Sequence, residues 1–582
     1  MCGIAGVIGP LDRAPESLEE ARRMISAVAH RGPDGVRVEA VDGATLAHAR
    51  LSIIDLECGW QPLHAAGSTV IGNGEIYNYV ELIEAFGLAG KLSTGSDFEP
   101  LLHIYAQEGE RAFTRLRGMY AFCLIGTDGR TWLVRDPFGI KPLYSDARPL
   151  GVGQGEVRFA SEPRALGAVR LAPTRTEELL ALGYALGGLG DPERLPREPP
   201  GMMGQPATDR TTGLYGVQPW LAEVRPTLPA GEDEVVQALD AVLEDSVRVH
   251  QRSDVPYGLF LSGGVDSSVI ATLMARLNSR PVTAFTCGFD APGAADERAG
   301  AECVARALGL DWRETTFTAE DFRRIAPRVA WALDDPTTDY ACLPTWKLAE
   351  AAKGTLTVVL SGEGGDELFG GYGRYRRALR PRWLGGRPAE PQVDAPFLRD
   401  CGRGALARWR AAAARDRPRG LTPLQQAQWA DIATWLPNDL LLKLDRMLMA
   451  HGLEGRTPFL DREVAAFAWS LPDRLKVRGR HGKWILRKWL ERHCPAAEPW
   501  AKKQGFTVPV ADWIAPDAPA TGERVAAVRG VAEVCDLDAV RAAFRDPARR
   551  KNWWPLTFFA LWSLIHAEGA SPEEAGAAVL GG

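Results

Sequence analysis

The sequence lacks the marks of a secreted, disulfide-stabilised or nucleic-acid-binding protein. Its nine cysteines are odd in number and never form a Cys-x-x-Cys pair, which argues against a disulfide framework or a zinc site and favours free thiols in a reducing compartment. Basic residues are not in excess, since 68 Lys and Arg oppose 74 Asp and Glu. The net charge of −6, without a basic patch, predicts no nucleic-acid partner.

Long hydrophobic runs are missing as well. Residues 1–10 lack the basic start and the length of a signal peptide, and the most apolar late run, residues 556–565, is too short to cross a bilayer. We therefore predict a cytoplasmic protein without a membrane partner. With 582 residues, 46% of them hydrophobic and 24% charged, the chain is expected to form about two to four globular domains.

Residues 257–268 form the most informative stretch for a nucleotide site. A short apolar run near its start indicates a strand, and apolar residues at helical spacing follow through residue 277. A glycine-rich turn between strand and helix offers unpaired backbone N–H groups to phosphate oxygens, and its serines add hydroxyl donors. Asp266 would repel phosphate unless a cation lay between them, so we assign it as a Mg²⁺ ligand. The predicted phosphate-binding residues are Ser262, Gly263, Gly264 and Ser267.

An ordinary Gly-Ser turn before a helix is the alternative interpretation of this stretch. No Gly-Lys-Ser/Thr follows, so the turn is not a Walker loop. The apolar run in front and Asp266 inside favour the nucleotide. The stretch resembles the SGGxDS pyrophosphate loop of the ATP pyrophosphatases, which leave an adenylate on a carboxylate or carbonyl and release pyrophosphate. The resemblance implies ATP as a cofactor.

The amino terminus offers a candidate nucleophile. Cys2 has a small side chain, so we expect removal of Met1 to place its thiol beside its own α-amine. An α-amine has a pKa of about 7.7–8 and can serve as the base for a terminal thiol that cleaves an amide. Standing alone, a cysteine at position 2 would more often be a buried strand residue.

Four motifs that follow Cys2 favour catalysis. They are residues 30–34, 47–55, 72–78 and 94–97. With residues 135–144 and 160–162, they make the sequence similar to the glutaminase domain of the class II glutamine amidotransferases, an N-terminal-nucleophile αββα sandwich. The resemblance implies that Cys2 attacks the glutamine side-chain amide while Asn73 and Gly74 form the oxyanion hole. It also implies a glutamine site made by Arg50, Ile53, Asn73, Gly74, Glu75 and Asp97.

The chemistry of these side chains suits the implied roles. The guanidinium fork of Arg50 matches a carboxylate, and the carboxylates of Glu75 and Asp97 match an ammonium group. An Asn amide beside a glycine N–H supplies two donors for developing negative charge. Alone, Asn73-Gly74 would more often be a type I′ hairpin turn. We assign no catalytic role to the histidines at positions 30 and 48.

The junction after the first domain is rich in glycine and proline. Residues 187–219 contain 13 of them, well above the roughly 12% of average usage, which predicts a linker or surface loop without packed secondary structure. We predict a glutaminase domain at residues 2–186, a linker at 187–232 and a second domain at 233–570. A helix is expected from 233 to 249.

Strand-like and helix-like segments alternate after the phosphate loop. The strand candidates are 282–289, 312–317 and 356–360, and the helix candidates are 297–308 and 343–352. This alternation predicts an α/β domain with a parallel sheet, in which ligands bind beyond the carboxyl ends of the strands. Residues 380–420 and the tail after 569 carry no usable motif.

Residues 360–372 repeat the pattern of the first loop, with a strand, small residues, acids and a helix start. An acidic helix N-terminus would explain Glu367 alone, but not the five glycines around the acids. With residues 444–461, 482–487 and 503–509, the segment resembles the synthetase domain of asparagine synthetase. The resemblance implies that Asp366 joins Asp266 on Mg²⁺–pyrophosphate. It adds to the ATP site Phe260, Cys287, Ser361 and Gly362.

The same resemblance implies the remaining roles. Glu363 orients or deprotonates ammonia, and Thr338 and Tyr372 bind the acceptor, helped by residues 334–339. Lys483 supplies the cation needed where charge builds on the α-phosphate, although a bare lysine at a helix start would more often be a solvated surface residue.

The resemblance as a whole implies a glutamine-hydrolysing asparagine synthetase. Its substrates would be glutamine, aspartate and ATP, with a β-aspartyl-AMP intermediate and an internal passage for ammonia; it is compatible with a homodimer. One alternative keeps the chemistry but changes the acceptor to a peptide, a sugar acid or a secondary metabolite. A second alternative is a non-catalytic scaffold, which the retained Cys2, Asp266, Asp366 and Lys483 oppose. Ring closure of the β-lactam synthetase type needs no terminal nucleophile and is disfavoured.

Overall fold

The computed structural model describes residues 2–9, 14–41, 43–151, 154–167, 169–186, 212–215, 226–291, 297–502 and 507–581. Most of the predicted linker and the start of the motif at 503–509 lie outside these residues. Within the described residues, no helix has both the length and the apolar character needed to cross a bilayer.

The first domain contains two five-stranded sheets, ordered β2-β3-β1-β9-β8 and β10-β7-β6-β5-β4. Its elements are β1 Gly3–Ile8, α1 Ala14–Ala27, β2 Gly35–Val41, β3 Ala44–Arg50, β4 Leu63–Ala65, β5 Ser68–Ile76, α2 Tyr79–Ala85, α3 Glu99–Glu108, β6 Gly118–Ile125, β7 Thr131–Arg135, β8 Tyr144–Gly151, β9 Gln154–Ala160 and α4 Pro173–Leu182, with β10 Thr212–Tyr215 from the junction.

The two sheets pack face to face. Ile4 and Leu46 of the first sheet share one apolar cluster with Ile71 and Leu133 of the second. On the outer faces, α1 packs against the first sheet and α3 against the second. This layering confirms the predicted αββα sandwich.

Part of the junction departs from its predicted loop character. Thr212–Tyr215 forms β10, which pairs in parallel with β7 so that Leu214 lies opposite Leu133. The prediction of no packed secondary structure is wrong for these four residues. Composition alone does not predict this strand, because the open edge of β7 accepts any short extended segment that can supply backbone hydrogen bonds.

The second domain is built on a parallel sheet ordered β13-β12-β11-β14-β15. The elements are α5 Glu232–His250, β11 Tyr257–Phe260, α6 Val265–Leu277, β12 Thr283–Phe289, α7 Arg298–Leu308, β13 Asp311–Phe317, α8 Ala319–Ala332, α9 Cys342–Ala352, β14 Val358–Leu360, α10 Gly365–Phe369, α11 Gly373–Ala378, α12 Arg403–Ala414, α13 Pro423–Ala433, α14 Leu441–Met449, β15 Glu454–Arg456, α15 Arg462–Ser470, α16 Asp473–Lys476, α17 Trp484–His493, α18 Val510–Ile514, α19 Ala518–Ala526, α20 Arg529–Val534, α21 Leu537–Arg545, α22 Trp553–Trp562 and α23 Pro572–Leu580.

Helices cover both faces of this sheet. Val359 points into an apolar cluster with α8, α9 and α22, whereas its neighbours Val358 and Leu360 point into a second cluster with α5, α6 and α17. The alternation follows from the two-residue period of a strand, and burial on both faces explains the apolar run. The predicted strands and helices between residues 233 and 360 are confirmed, with bounds shifted by one or two residues.

Candidate active sites

Cys2 lies immediately before β1 in the first domain. Its side chain is only 9% exposed, and its thiol lies 3.9 Å from the carbonyl oxygen of Leu51. Its backbone N–H donates to Asn73 Oδ1 at 3.1 Å. Burial raises the pKa of the Cys2 thiol, so attack on an amide requires a base close to the sulfur.

The two residues of the predicted oxyanion hole, Asn73 and Gly74, lie inside strand β5. Asn73 is fully buried on β5, and its side-chain Nδ2 finds no hydrogen-bond partner among the described residues. Gly74 has φ +133°, and a Cβ there would lie 2.0 Å from Met119 O, so the position requires glycine. Because Asn73 and Gly74 pair with Ala121 and Tyr120 of β6, they do not form a hairpin turn. An unpaired buried donor costs about 1–3 kcal/mol, which a substrate oxygen would recover.

Two buried carboxylates follow the oxyanion residues. Glu75 is 4% exposed and Asp97 is 6% exposed, and Asp97 accepts the N–H of Ile76 at 2.6 Å. Burial, together with the charge of Glu454, raises the pKa of Asp97 to about 7. Burial and the neighbouring charge of Asp97 raise the pKa of Glu75 well above its ordinary value. A cation would stabilise the ionised form of such a pair, and the α-ammonium group of glutamine is a cation of this kind.

Arg50 completes the predicted glutamine site from β3. Its guanidinium donates to the carbonyls of Leu56 and Asp55 and stacks on the ring of Trp60, with 4.9 Å from Cζ to the ring centroid. It lies close enough to Cys2 for the two groups to influence each other's pKa. Ile53 is 2% exposed, and its carbonyl accepts the N–H of Asp254 at 2.9 Å, so the glutamine loop is tied to the second domain.

The two predicted nucleotide loops leave neighbouring strands. β11 and β14 pair in parallel, and the loops that begin at Ser262 and Ser361 start at the same edge of the sheet. A Cβ at Gly362 would lie 2.8 Å from the Cβ of Asp266, so only glycine permits this approach. The structure therefore brings the two loops into direct contact, as the sequence predicts.

Lys483 lies between the two predicted metal ligands. Its ammonium contacts both Asp266 and Asp366, the latter at 2.6 Å. Burial alone would lower the pKa of Lys483, but the two carboxylates outweigh it and raise the pKa, so the side chain is charged. Lys483 has φ +55° and immediately precedes α17, which directs its side chain back to the loops.

The donor set fits Mg²⁺. Asp266 and Asp366 both contact the Lys483 ammonium, and a Cβ at Gly365 or Gly371 would fall 2.6 Å or 1.7 Å from their Oδ1 atoms, so glycines keep the space around both carboxylates open. In the described part of the chain, no group of three or more His, Cys, Asp or Glu side chains converges as a metal site. Two carboxylates are what a magnesium–phosphate site uses, because the phosphates supply further oxygens.

The first loop is organised by its own serines. Ser262 Oγ and Ser267 Oγ lie 3.0 Å apart, and the N–H of Gly264 donates to Ser262 Oγ at 3.3 Å. Gly263 has φ +70°, which a side chain would disfavour. The predicted adenosine contacts, Phe260 and Cys287, lie at the carboxyl end of β11 and near that of β12.

Glu363 and Asp339 both contact a buried lysine that the sequence did not single out. Lys443 Nζ lies 3.3 Å from Glu363 Oε1 and 3.2 Å from Asp339 Oδ2. Tyr372 donates to Glu367 at 2.5 Å, while burial and the charge of Asp366 raise the pKa of Glu367 to about 8.

Residues 334–339 make contacts with the first domain and within the second domain. Asp334 pairs with Arg164 of the first domain at 3.2 Å and with Arg446 of its own domain at 3.1 Å. Thr338 donates from both its N–H and its hydroxyl to Gly183 O. Through Asp334 and Thr338 this block therefore joins the two domains, and its role in holding the acceptor stays a prediction.

A buried ionic cluster lies at the interface between the two domains, and the sequence does not predict it. Arg31 donates twice to Asp445, at 2.8 and 3.0 Å, and once to Glu162 at 2.9 Å. Arg446 pairs with the same Glu162 at 2.9 Å. The available signal was the charged pair Asp445-Arg446 inside an apolar helix, α14, because buried charges need partners.

A small cavity lies where the domains meet. Its volume is about 20 Å³, room for one water-sized molecule. It lies between the loop that follows β7 in the first domain and the start of α14 in the second. The lining includes Ile140, Leu143, Tyr144, Pro437, Asn438 and Leu442.

Two protein-family models match the sequence. The model described as asparagine synthase matches residues 238–565, more than half of the chain. The model described as a glutamine amidotransferase domain matches residues 1–186.

Curated relatives match both domains together. Asparagine synthetase [glutamine-hydrolyzing] 1 of Bacillus subtilis (strain 168) is 32% identical over 99% of this chain and 98% of its own length. A putative glutamine-hydrolysing asparagine synthetase of Mycobacterium tuberculosis (strain ATCC 25618 / H37Rv) is 33% identical over 98% of each chain. Asparagine synthetase B [glutamine-hydrolyzing] of Escherichia coli (strain K12) is 30% identical over 94% of this chain and 88% of its own length.

Proposed function

The chain belongs to the family of glutamine-hydrolysing asparagine synthetases, and from that premise we propose that it converts L-aspartate to L-asparagine with nitrogen from glutamine and energy from ATP. The contact of Lys483 with both Asp266 and Asp366 carries the proposal, because it gathers a cation and two metal-binding carboxylates at the ends of β11 and β14. The fully buried Asn73, with an unbonded amide nitrogen beside Cys2, supports the glutamine half.

The glutamine half begins once Cys2 is the terminal residue. The α-amine takes the thiol proton, and the sulfur attacks the side-chain amide carbon of glutamine. Asn73 Nδ2 and the Gly74 N–H stabilise the negative oxygen. On collapse, the protonated α-amine returns its proton to the leaving nitrogen, ammonia is released and a glutamyl thioester remains. Water then hydrolyses the thioester to glutamate and restores the thiol. Arg50 holds the α-carboxylate of glutamine throughout.

The second half joins aspartate to AMP. The β-carboxylate of aspartate attacks the α-phosphorus of ATP, and pyrophosphate leaves. Lys483 stabilises the charge that builds on the α-phosphate, and the serines and backbone N–H groups of residues 262–268 hold the pyrophosphate. Asp266 and Asp366 would hold Mg²⁺, which supplies charge neutralisation when bound.

Ammonia completes the reaction at the adenylate. It attacks the β-carbonyl carbon, AMP leaves, and the excess proton passes to a base. We propose Glu363 for this role; its Oε1 lies 3.3 Å from Lys443 Nζ. Bulk water would protonate ammonia, so we propose that it moves inside the protein. The nine cysteines, all described and none in a disulfide, support a reducing cytoplasm.

A larger acidic acceptor is a second candidate. Arg374 stacks over Tyr372, with 4.2 Å from Cζ to the ring centroid, and over Trp435 at 4.4 Å. Its side chain is 24% exposed while it pairs with Asp431. A guanidinium beside a predicted acceptor residue suits an acceptor with a carboxylate that is not amidated, and a larger acid would supply this group as aspartate does.

A product assay tests both candidates. Protein supplied with aspartate, glutamine, ATP and Mg²⁺ is expected to form asparagine, AMP, pyrophosphate and glutamate in equal amounts, measured by mass spectrometry. Cys2→Ala should lose the glutamine-dependent product yet keep synthesis from ammonium salts, whereas Cys58→Ala, at an exposed cysteine, should keep both. Glutamine hydrolysis without asparagine or AMP would reject aspartate as the acceptor.

A further inference from the structure

Arg456 lies between the two active sites. It ends β15 and is fully buried. Its Nη2 lies 3.6 Å from Glu75 Oε1 in the glutamine site. Its backbone oxygen accepts the N–H of Ser361 at 2.8 Å, and it is the register partner of Leu360 immediately before the nucleotide loop. One residue therefore contacts the glutamine site by its side chain and the ATP site by its backbone.

Two of the three guanidinium nitrogens are firmly held. Nε donates to Glu454, and Nη1 donates to the carbonyls of His250 at 2.9 Å and Arg252 at 2.6 Å. By contrast, Nη2 and Glu75 Oε2 make no hydrogen bond within the described residues. The Arg456–Glu75 contact is thus an ion pair just beyond hydrogen-bond length, and a shift of less than 1 Å would make or break a hydrogen bond.

The Arg456–Glu75 contact acts through the positive charge of the guanidinium. The ionisable groups whose charge acts on Glu75, or on which its charge acts, are the chain's terminal amine, Cys2, Tyr77, Tyr79, Asp97, Glu454 and Arg456. Burial, then Asp97 and Glu454, raise the pKa of Glu75, and the charge of Arg456 opposes them. A carboxylate that must bind an α-ammonium group has to be ionised, so the guanidinium favours the binding form.

We propose that Arg456 is a positioning residue that favours the ionised form of Glu75 for the α-ammonium group of glutamine and links this state to the nucleotide loop through Ser361. The inference rests on the proposed role of Glu75. Filling the nucleotide site moves the Ser361 loop and β15 together, so the Arg456–Glu75 distance changes and with it the affinity for glutamine. Linkage requires the reverse effect, of glutamine on nucleotide binding, to be equal.

The test compares Arg456→Met, which keeps the bulk of the side chain, with Arg456→Lys, which keeps the charge. Arg117→Met is the control, because Arg117 pairs across the same interface with Asp461 at 2.7 Å but does not contact Glu75. Glutamine KM and kcat are measured from released glutamate, with and without Mg²⁺ and α,β-methylene-ATP, which cannot be cleaved at the reacting bond. Ammonia-dependent synthesis reports whether each variant is folded.

In wild type the analogue is expected to change glutamine KM by about threefold or more, within the usual range of coupling. Arg456→Met should raise KM by roughly ten- to a hundredfold at neutral pH, as loss of a charged contact does, with kcat within about twofold. The ratio of its KM to the wild-type KM at the same pH should fall as pH rises and Glu75 ionises in the variant, and the analogue should no longer affect the KM of the variant. Arg456→Lys should keep KM within about threefold but lose the response to the analogue, because lysine lacks the fork that holds both backbone carbonyls.

Several outcomes would overturn the inference. The first is a wild-type glutamine KM that the analogue does not change. The second is an Arg456→Met enzyme whose KM equals the wild-type KM, or exceeds it by the same factor at every pH. The third is an Arg117→Met control that behaves like Arg456→Met. If Arg456→Met does not fold, Arg456→Lys decides alone, since a full analogue response there contradicts the link. Wild type that hydrolyses no glutamine would instead overturn the proposed function.

Discussion

The ammonium nitrogen of Lys483 lies 2.6 Å from Asp366 Oδ1 while it also contacts Asp266. The two carboxylates come from loops 100 residues apart in the sequence, and the lysine from a third segment. Each group alone would be costly to bury, and their charges offset one another. The lysine therefore lies buried between the two loops and is not a solvated surface residue.

Lys483→Met should abolish synthesis from both glutamine and ammonia. We expect a loss of about a hundredfold or more in pyrophosphate release, because a cation aimed at developing charge contributes about that much to the rate. Glutamine hydrolysis should survive, since the variant leaves the first domain intact. Lys488→Met is the control, because Lys488 on the same helix faces Glu491 at the surface. Equal loss in both variants would contradict the assigned role.

Asp366→Asn should weaken the use of Mg²⁺. The amide keeps the shape of the side chain but removes a negative charge from the metal position, so the Mg²⁺ concentration for half-maximal pyrophosphate release should rise about tenfold. Titration of Mg²⁺ at saturating ATP measures the effect. Asp538→Asn, at a side chain that is 96% exposed, should leave the titration unchanged. An unaltered Mg²⁺ requirement in Asp366→Asn would remove this residue from the metal site.

Glutamine binding should depend on the ionisation of Asp97. Its pKa is raised from its ordinary value to about 7, so the group is neutral below that pH and negative above it. An ammonium group binds the negative form, and glutamine KM should therefore rise as the pH falls through about 7, by up to roughly tenfold per pH unit. Asp97→Asn should bind glutamine weakly at every pH. A wild-type KM that is flat between about pH 6 and 8 would contradict the assignment.

Gly74→Ala should disable the glutamine half alone. The new methyl group would lie 2.0 Å from Met119 O, so the oxyanion strand must shift. We expect glutamate release to fall about a hundredfold and the free energy of unfolding to drop by about 1–3 kcal/mol, with ammonia-dependent synthesis retained. Gly87→Ala is matched to it, because Gly87 also has positive φ but has open space around it. Similar kinetics in the two variants would show that backbone strain, and not the oxyanion hole, is responsible.

Local patterns made much of the architecture predictable. The turn after β11 and the acids after β14 have short-range signatures, and parallel pairing of the two strands then forces Ser262 and Ser361 to one edge. The αββα layering came from motif resemblance, because its strands carry few signals of their own.

Contacts between distant segments were beyond the reach of such patterns. Arg31 and Asp445 are 414 residues apart, and no local sequence pattern around either residue identifies the other as its partner. Lys443 was overlooked because a lysine in an apolar helix does not reveal that Glu363 and Asp339 will meet it. β10 was missed because glycine-rich composition predicts the absence of structure, whereas the edge of β7 supplied a template.

The cluster of Arg31, Glu162, Asp445 and Arg446 bears on how the molecule is assembled. All four side chains are withdrawn from water, and each half contributes both signs of charge. A half produced by itself would have to hydrate its orphaned ions, and its matching surface would stay open. Two halves produced together would regain every pairing on contact, so severing the chain at the junction should leave a non-covalent enzyme, while supplying either part alone should not.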